Sequence, residues 1–375
     1  MSADDDLERD YTLSRKAGWF KLAQTPARVK PKTCARAELD AMSGPERRRY
    51  DDLRAVWHAN LGPIVTSQIE ALYDELEEIV ESNRQDGDRV RSSAVLSAYP
   101  GLGKSTLAIS FGVRYHRDQI ELHGPTTRDG HDRIPVAYVG LTSSTTMRSL
   151  NSALCRFFDH PGWRRGNATE LADRATDDVL SCGTRLIIID DVHFLDMNRR
   201  DGREVANHFK WLAGQFPVTF VFVGVGVLQS GLLDEGRTAA DAALAQTARR
   251  WTTMTLDPFE IATDEGRREW RRLLLAIERD LVLANAHRGM LADELADYLY
   301  ARSTGHFASL MTLIARGCRR AIKTNTELLT PELLDGVRND AAAERARKEL
   351  HAAFERGDLT TRIQQPERAA RRKAA

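Results

Sequence analysis

Residues 98–106 read Ala-Tyr-Pro-Gly-Leu-Gly-Lys-Ser-Thr and join two segments of opposite character. Before them stands a short apolar run, SSAVLSA. After them KSTLAISFGVRYHRD combines good helix formers with helical spacing of its apolar residues. The nine residues depart from the pattern G-x-x-x-x-G-K-[ST] only at Ala98, where a glycine usually stands. A loop of this kind turns so that successive backbone N–H groups point inward at a phosphate, with the positive end of the following helix behind them. Gly101 and Gly103 permit the close approach, and Lys104 supplies a mobile positive charge for β- and γ-phosphates. The Ser105 hydroxyl has the size and hardness to ligate magnesium. The predicted ligand is therefore ATP with Mg2+, held by Pro100, Gly101, Leu102, Gly103, Lys104, Ser105 and Thr106.

Downstream, RLIIIDDVHFLD delivers Asp190 and Asp191 to the carboxyl end of an apolar strand, where α/β sheets place their ligands. Asp190 is predicted to hold the magnesium through water. Asp191 is predicted to face the γ-phosphate and orient or deprotonate the attacking water, the alternative being a cap on the following turn. Many ATPases carry Glu at that second position. Asp is one methylene shorter, so slow hydrolysis is expected. His193 reads as a turn or packing residue.

The strand–loop–helix unit repeats. IPVAYVGL, RLIIID and PVTFVFVGVG read as buried strands and TMTLDPFE as a last one, with helical stretches between them. This alternation predicts an α/β fold: a parallel sheet with flanking helices, followed by a small all-α lid. The division expected is a polar arm over residues 1–44 and a nucleotide-binding domain over 45–261, which opens with two helices. A helical lid over 262–340 and a charged tail over 341–375 complete it.

Lys plus Arg equals Asp plus Glu at 54 each, so no net field draws the 375-residue chain onto nucleic acid or acidic lipid, and any such contact must be local. Cys34, Cys155, Cys182 and Cys318 are far apart, without zinc-type pairs, and read as free thiols of a reducing compartment. No stretch approaches the roughly 18 apolar residues of a membrane span and no apolar leader opens the chain, which predicts a cytoplasmic protein.

The order of these parts resembles AAA+ ATPases, and more narrowly the TniB/TnsC family of DNA-transposition regulators. The resemblance spans residues 45–340 and is carried by RRRYDDLRAVWHANLGPIVTSQIEAL, AYPGLGKST, IPVAYVGLTSSTTMRSLNSALCRFF, LIIIDDVHFL, HFKWLAGQFPVTFVFVGVG, LAQTARRWTTMTLDPFE and ARSTGHFASLMTLIARGCRRAI. It implies an ATPase that forms a homo-oligomer, ring or filament, on double-stranded DNA without regard to sequence. It further implies recruitment or activation of a DDE-type transposase, target choice that could involve a selector protein, and hydrolysis that times disassembly. In such proteins an arginine of one subunit reaches the next subunit's γ-phosphate, and ALAQTARRW places Arg250 first and Arg249 second in that role. Two departures favour binding over fast turnover. VGVGV after the fourth strand lacks the usual polar γ-phosphate sensor, leaving Gln229 and Ser230 further on, and STGHFASL lacks the lid arginine.

For DNA, the loop GLTSSTTMRSL offers hydroxyls, with Thr145 and Arg148 as the candidate phosphate contacts. The competing reading is that Thr142, Ser143 and Thr145 cap the next helix. The runs RVKPK and RRKAA could add contacts but read equally as solvated charge. Other functional classes stay open: a STAND-type signalling NTPase, an origin initiator or helicase loader, and a protein that uses ATP only as structural glue between subunits. An appended winged-helix DNA reader would be expected of an initiator, and residues 341–375 are too few and too charged to form one.

Overall fold

A computed structural model describes residues 11–86, 91–194, 208–209, 211–227 and 251–363. The chain divides into two compact units, Met1–Ala27 with Gln68–Asp257, and Arg28–Ser67 with Pro258–Ala375.

The first unit is built on five parallel strands: β1 (Ser93–Ala98), β2 (Val136–Gly140), β3 (Leu186–Asp190), β4 (Thr219–Gly224) and β5 (Trp251–Leu256), in the spatial order β2-β3-β4-β1-β5. Every residue of β1, β3 and β4 is buried. This is the burial of strands covered on both faces. At one edge β5 exposes Thr253 and Thr255 in alternation with buried Met254 and Leu256. Among the helices are α1 (Lys16–Gln24), α4 (Ser67–Ser82), α5 (Lys104–His123), α6 (Met147–Phe157) and α7 (Ala168–Ser181). The helix α5, which starts at the phosphate loop, packs across β1, β2, β3 and β4. Thr146 caps α6 by accepting a hydrogen bond from the Ser149 N–H, and Asn167 caps α7 through Glu170 N–H.

The expected polar arm over residues 1–44 is corrected by this structure for its described part. Residues 16–24 form α1, and Trp19 is completely buried in the core of the sheet unit. Its indole Nε1 donates to His116 Nδ1 at 3.2 Å and its ring stacks on Tyr138, with 6.4 Å between centroids and 14° between planes. The helix α5 makes room for it. A Cβ added at Gly112 would stand 2.7 Å from Ile188 Cδ1 and 3.0 Å from Trp19 Cη2. Arg117, one turn further along α5, then caps the end of α1 by donating to the carbonyls of Ala23 and Thr25. One large aromatic in a nine-residue helix produces no periodicity, so the segment reads as unstructured although its burial is complete.

The second unit is helical. It contains α2 (Arg36–Ala41), α3 (Gly44–Ala59), α8 (Asp264–Asp280), a π-helical turn (Met290–Glu294), α9 (Ala296–Ser303), α10 (Phe307–Lys323), α11 (Pro331–Asp335) and α12 (Ala341–Glu355). Trp270, Leu273, Leu274, Leu299, Leu310, Leu313 and Ile314 are among its buried core.

The predicted boundaries at 45, 262 and 340 do not coincide with this unit. The helix α3 was expected to open the nucleotide domain, yet residues 28–67 group with the helical unit. The reason is polar. Arg54 is buried with Glu327 in a two-pronged ion pair, Nη1 to Oε2 and Nη2 to Oε1, each at 2.6 Å. His58 Nε2 accepts the Val282 N–H and Trp57 Nε1 donates to Asp280 O. At the other end α12, expected as the start of a charged tail, is capped by Asp340 and places Phe354 against the helical core.

Candidate nucleotide site

The loop between β1 and α5 places Gly101 at φ 78° and Gly103 at φ 86°, in the left-handed region that a side chain disfavours. Gly103 is the N-cap of α5 and supplies no side chain to it, so the first intrahelical bond is Leu107 N–H to Gly103 O at 2.8 Å. The amides of Lys104, Ser105 and Thr106 precede that bond and are the helix's unpaired donors. Such an end suits an anion, because the donors converge where the helix dipole is positive. Lys104 and Ser105 are half-buried and Thr106 is exposed.

Asp190 ends β3 at the same end of the sheet, separated from β1 by β4 alone. It is almost completely buried and both its oxygens are held. Oδ2 accepts the Tyr138 hydroxyl at 2.8 Å and Oδ1 accepts the Asp191 N–H at 2.8 Å. Burial and the neighbouring Asp190 charge hold the Tyr138 phenol protonated, well above its ordinary range, so it acts as a donor. A carboxylate with one lone pair on each oxygen thus committed retains others for a hydrated cation. The hard oxygen donors of Asp190 and Ser105 fit magnesium, which usually keeps several waters and uses only one or two protein ligands.

Asp191 has φ 61°, a left-handed conformation that Asp tolerates better than most residues. This turns its side chain out of the strand register while the chain continues into a 3-10 turn, Val192–Phe194. Its Oδ1 lies 3.9 Å from His193 Nδ1, and among the described residues Asp191 forms no side-chain cap bond to the turn, which closes through Phe194 N–H to Asp191 O, a backbone bond. Partial burial and then the Asp190 charge raise the Asp191 carboxyl above its ordinary range, opposed by His193 and Lys104. Lys104 therefore lies within electrostatic reach of Asp191. Gly224, at the end of β4, brings this turn close: a Cβ there would stand 3.0 Å from the His193 N and 2.7 Å from Val227 Cγ2.

Residues 88–230 match the family model described as an AAA domain. The chain folds as an AAA+ P-loop protein. Solved structures similar to it include the Aeropyrum pernix ORC1 protein in complex with DNA, at 15% identity and TM-score 0.56, covering 79% of this chain and 69% of that one. The Aeropyrum pernix ORC2 protein in ADPNP–ADP complexes follows at 13% and 0.52, with 78% and 71% covered. Cdc6p from Pyrobaculum aerophilum matches at 14% and 0.51, with 74% and 68% covered. At such identities the likeness is one of fold. No curated protein sequence matches the chain.

Within the AAA+ unit the sequence-predicted residues fall in three groups. The loop residues 100–106, Asp190 and Asp191 share one end of the sheet. Arg249, Arg250, Gln229 and Ser230 lie outside the described residues. Thr145 and Arg148 follow β2, whose last residue Gly140 pairs with Asp190, so their loop leaves the same end of the sheet, where it is tied up internally: Thr145 Oγ1 accepts the Thr142 N–H, and Arg148 donates from Nε to Gly166 O and from Nη2 to Arg164 O. The capping residue is Thr146 rather than the Thr142, Ser143 or Thr145 of the competing reading. Tyr138 was missed by sequence reasoning. The available signal was a phenol inside an apolar strand, since a buried hydroxyl needs a partner.

In the helical unit, Arg302 immediately precedes the STGHFASL segment. Its guanidinium donates to Tyr298 Oη, Leu334 O, Val337 O and Glu344 Oε1, which commits it to the interior of that unit. Among the described residues no helix is long and apolar enough to cross a membrane.

Proposed function

We propose that this protein is an ATPase of the initiator-like AAA+ kind, an ATP-gated switch whose nucleotide state controls assembly on duplex DNA. The observation that carries the nucleotide chemistry is the buried Asp190, oriented by Tyr138 at the same sheet end as an uncapped α5 N-terminus. The loop amides and Lys104 bind the phosphates, and Ser105 with Asp190 holds magnesium, directly and through water respectively. Magnesium, when bound, screens the phosphate charge. Asp191, with a raised carboxyl and no capping bond among the described residues, orients water and accepts its proton. The DNA part of the reading is supported by fold likeness to ORC1, which was solved with DNA, and nucleotide use by likeness to ORC2, which was solved with ADPNP and ADP.

A second reading, the TniB/TnsC-type transposition regulator, is favoured by the ordered sequence segments over residues 45–340. In that version the ATP-bound homo-oligomer recruits or activates a DDE-type transposase, aided by a target-selector protein. Arg250 or Arg249 completes the neighbouring subunit's site, and Thr145 with the remaining donors of Arg148 contacts DNA phosphates.

Sedimentation and electron microscopy with duplex DNA, comparing ATP, ADP and no nucleotide at two salt concentrations, test both. ATP-dependent assembly on DNA supports the switch, and its absence under every condition removes it. Preference for one DNA sequence by tenfold or more favours the initiator reading. Rings or filaments indifferent to sequence favour the transposition regulator.

A further inference from the structure

The sheet unit has a second concave site at the end of the sheet opposite the phosphate loop. The segments entering β2, β3 and β4 and the C-terminal turns of α4, α5 and α7 enclose a cavity of about 510 Å³. Five arginines line it, Arg84, Arg91, Arg128, Arg133 and Arg185, against one lining carboxylate, Asp129. Arg84 is neutralised by Glu81 at 2.8 Å. The other four have no carboxylate partner among the described residues. Arg133 donates to the carbonyls of Gly124 and Thr126, and Arg91 to those of Asn83 and Gln85. These bonds orient the guanidinium groups, and no carboxylate among the described residues cancels their charge. Arg128 and Arg185 are exposed, and their guanidinium groups make no hydrogen bond or ion pair with a described residue.

The arginines also act on one another. Burial and the Arg185 charge both push the Arg91 guanidinium below its ordinary value. Tyr115, on the α5 wall, is pushed up to about 12 by burial and by Glu81, so its hydroxyl stays a donor, and it has no described hydrogen-bond partner. A concave wall that concentrates positive charge focuses the field on an anion of matching size. Guanidinium groups and a phenol are planar or directional donors that suit phosphate oxygens. The volume lies within the range of small-molecule pockets and above what a single inorganic ion fills.

We propose that this cavity is an anion site, separate from the phosphate loop, for a nucleotide-sized ligand carrying at least two phosphate groups, held by Arg91, Arg128, Arg133 and Arg185 with Tyr115 as a neutral donor. Concavity favours such a ligand over a nucleic-acid duplex, whose phosphates are spread along a convex backbone. The inference is independent of the ATP reading, because none of these residues belongs to the loop.

The experiment is calorimetric titration of the full chain carrying Lys104→Ala with inorganic pyrophosphate in place of the unidentified ligand. Loss of the loop lysine makes the remaining heat report the cavity. One saturable site is expected, with affinity reduced about tenfold by adding Arg185→Gln and further by Arg128→Gln. Both positions are exposed, so unchanged circular dichroism and melting verify the fold. Repeating the titration with ADP and with a nucleoside 3′,5′-bisphosphate separates sources: tighter binding than pyrophosphate assigns a nucleotide, equal binding assigns the phosphates alone, and both uphold the site. Absence of saturable binding, or affinity indifferent to both arginine substitutions, overturns it. So does Arg185-dependent binding of a short DNA duplex without any binding of pyrophosphate.

Discussion

The hydroxyl of Tyr138 donates to Asp190 Oδ2 at 2.8 Å, while the Tyr138 ring stacks on Trp19. A carboxylate at the end of β3 is thus oriented from β2, and β2's tyrosine is in turn backed by α1. The residue that would hold magnesium depends on packing more than 100 positions earlier in the chain.

Tyr138→Phe removes the hydrogen bond and keeps the stacked ring. A net hydrogen bond is worth about 0.5–1.5 kcal/mol. The variant is therefore expected to weaken magnesium-dependent ATP affinity by roughly three- to tenfold and to leave metal-free nucleotide binding unchanged. Fluorescent-nucleotide titration with and without magnesium measures both; equal affinities for wild type and variant in magnesium would refute the role.

Asp191→Asn keeps the size of the side chain and removes its basicity. ATP binding should persist while turnover falls by about a hundredfold or more, the usual range for a lost general base. In the wild type, turnover at saturating ATP should decline as pH falls through the Asp191 pKa, which burial and Asp190 place above the ordinary 3.8. Phosphate-release assays across acid pH check this, and an Asn variant as fast as wild type would assign the proton to another acceptor.

Trp19→Ala opens a cavity between α1, α5 and the sheet. Truncation of a fully buried aromatic costs about 3–5 kcal/mol. Thermal or urea unfolding should show that loss in the sheet unit, together with weaker magnesium-dependent ATP binding through Tyr138. A residue in an unpacked arm would change neither.

Acid should destabilise both units through buried histidines. Burial lowers His116 to about 4, and burial with the charges of Arg54 and Lys30 lowers His58 to about 4, each from an ordinary 6.5. Both are acceptors in their neutral form, from Trp19 Nε1 and Val282 N–H. A folded-state pKa depressed below the unfolded value gives stability that is complete above about pH 6.5 and lost as pH falls toward 4. The slope approaches about 1.4 kcal/mol per pH unit for each group. Urea titrations at several pH values measure it, and the His116→Gln variant should flatten the slope of the sheet unit.

Glu327→Gln leaves the buried Arg54 guanidinium opposite a neutral amide, with Asp51, 2.7 Å from Nη2, as its remaining carboxylate partner among the described residues. Breaking one side of a buried ion pair costs about 3–5 kcal/mol, which should appear as a lower melting temperature and faster proteolysis of the helical unit. Adding Arg54→Met should recover much of that loss. A double variant no more stable than the single one would show that the pair contributes through shape rather than charge.

Sequence alone determined the parallel α/β class, the strand–loop–helix unit at residues 93–123, and the delivery of Asp190 and Asp191 to a strand end. Each is written in contiguous residues, where apolar runs, glycines and a lysine follow one another at fixed spacing. The tertiary structure decided what depends on single residues meeting across long separations. Trp19 finds His116 and Tyr138, Tyr138 finds Asp190, Arg54 finds Glu327, and five arginines from separate segments line one cavity. Such pairings carry no periodicity. A buried polar group must be satisfied, but its sequence does not say by whom, and only the folded chain supplies the partner.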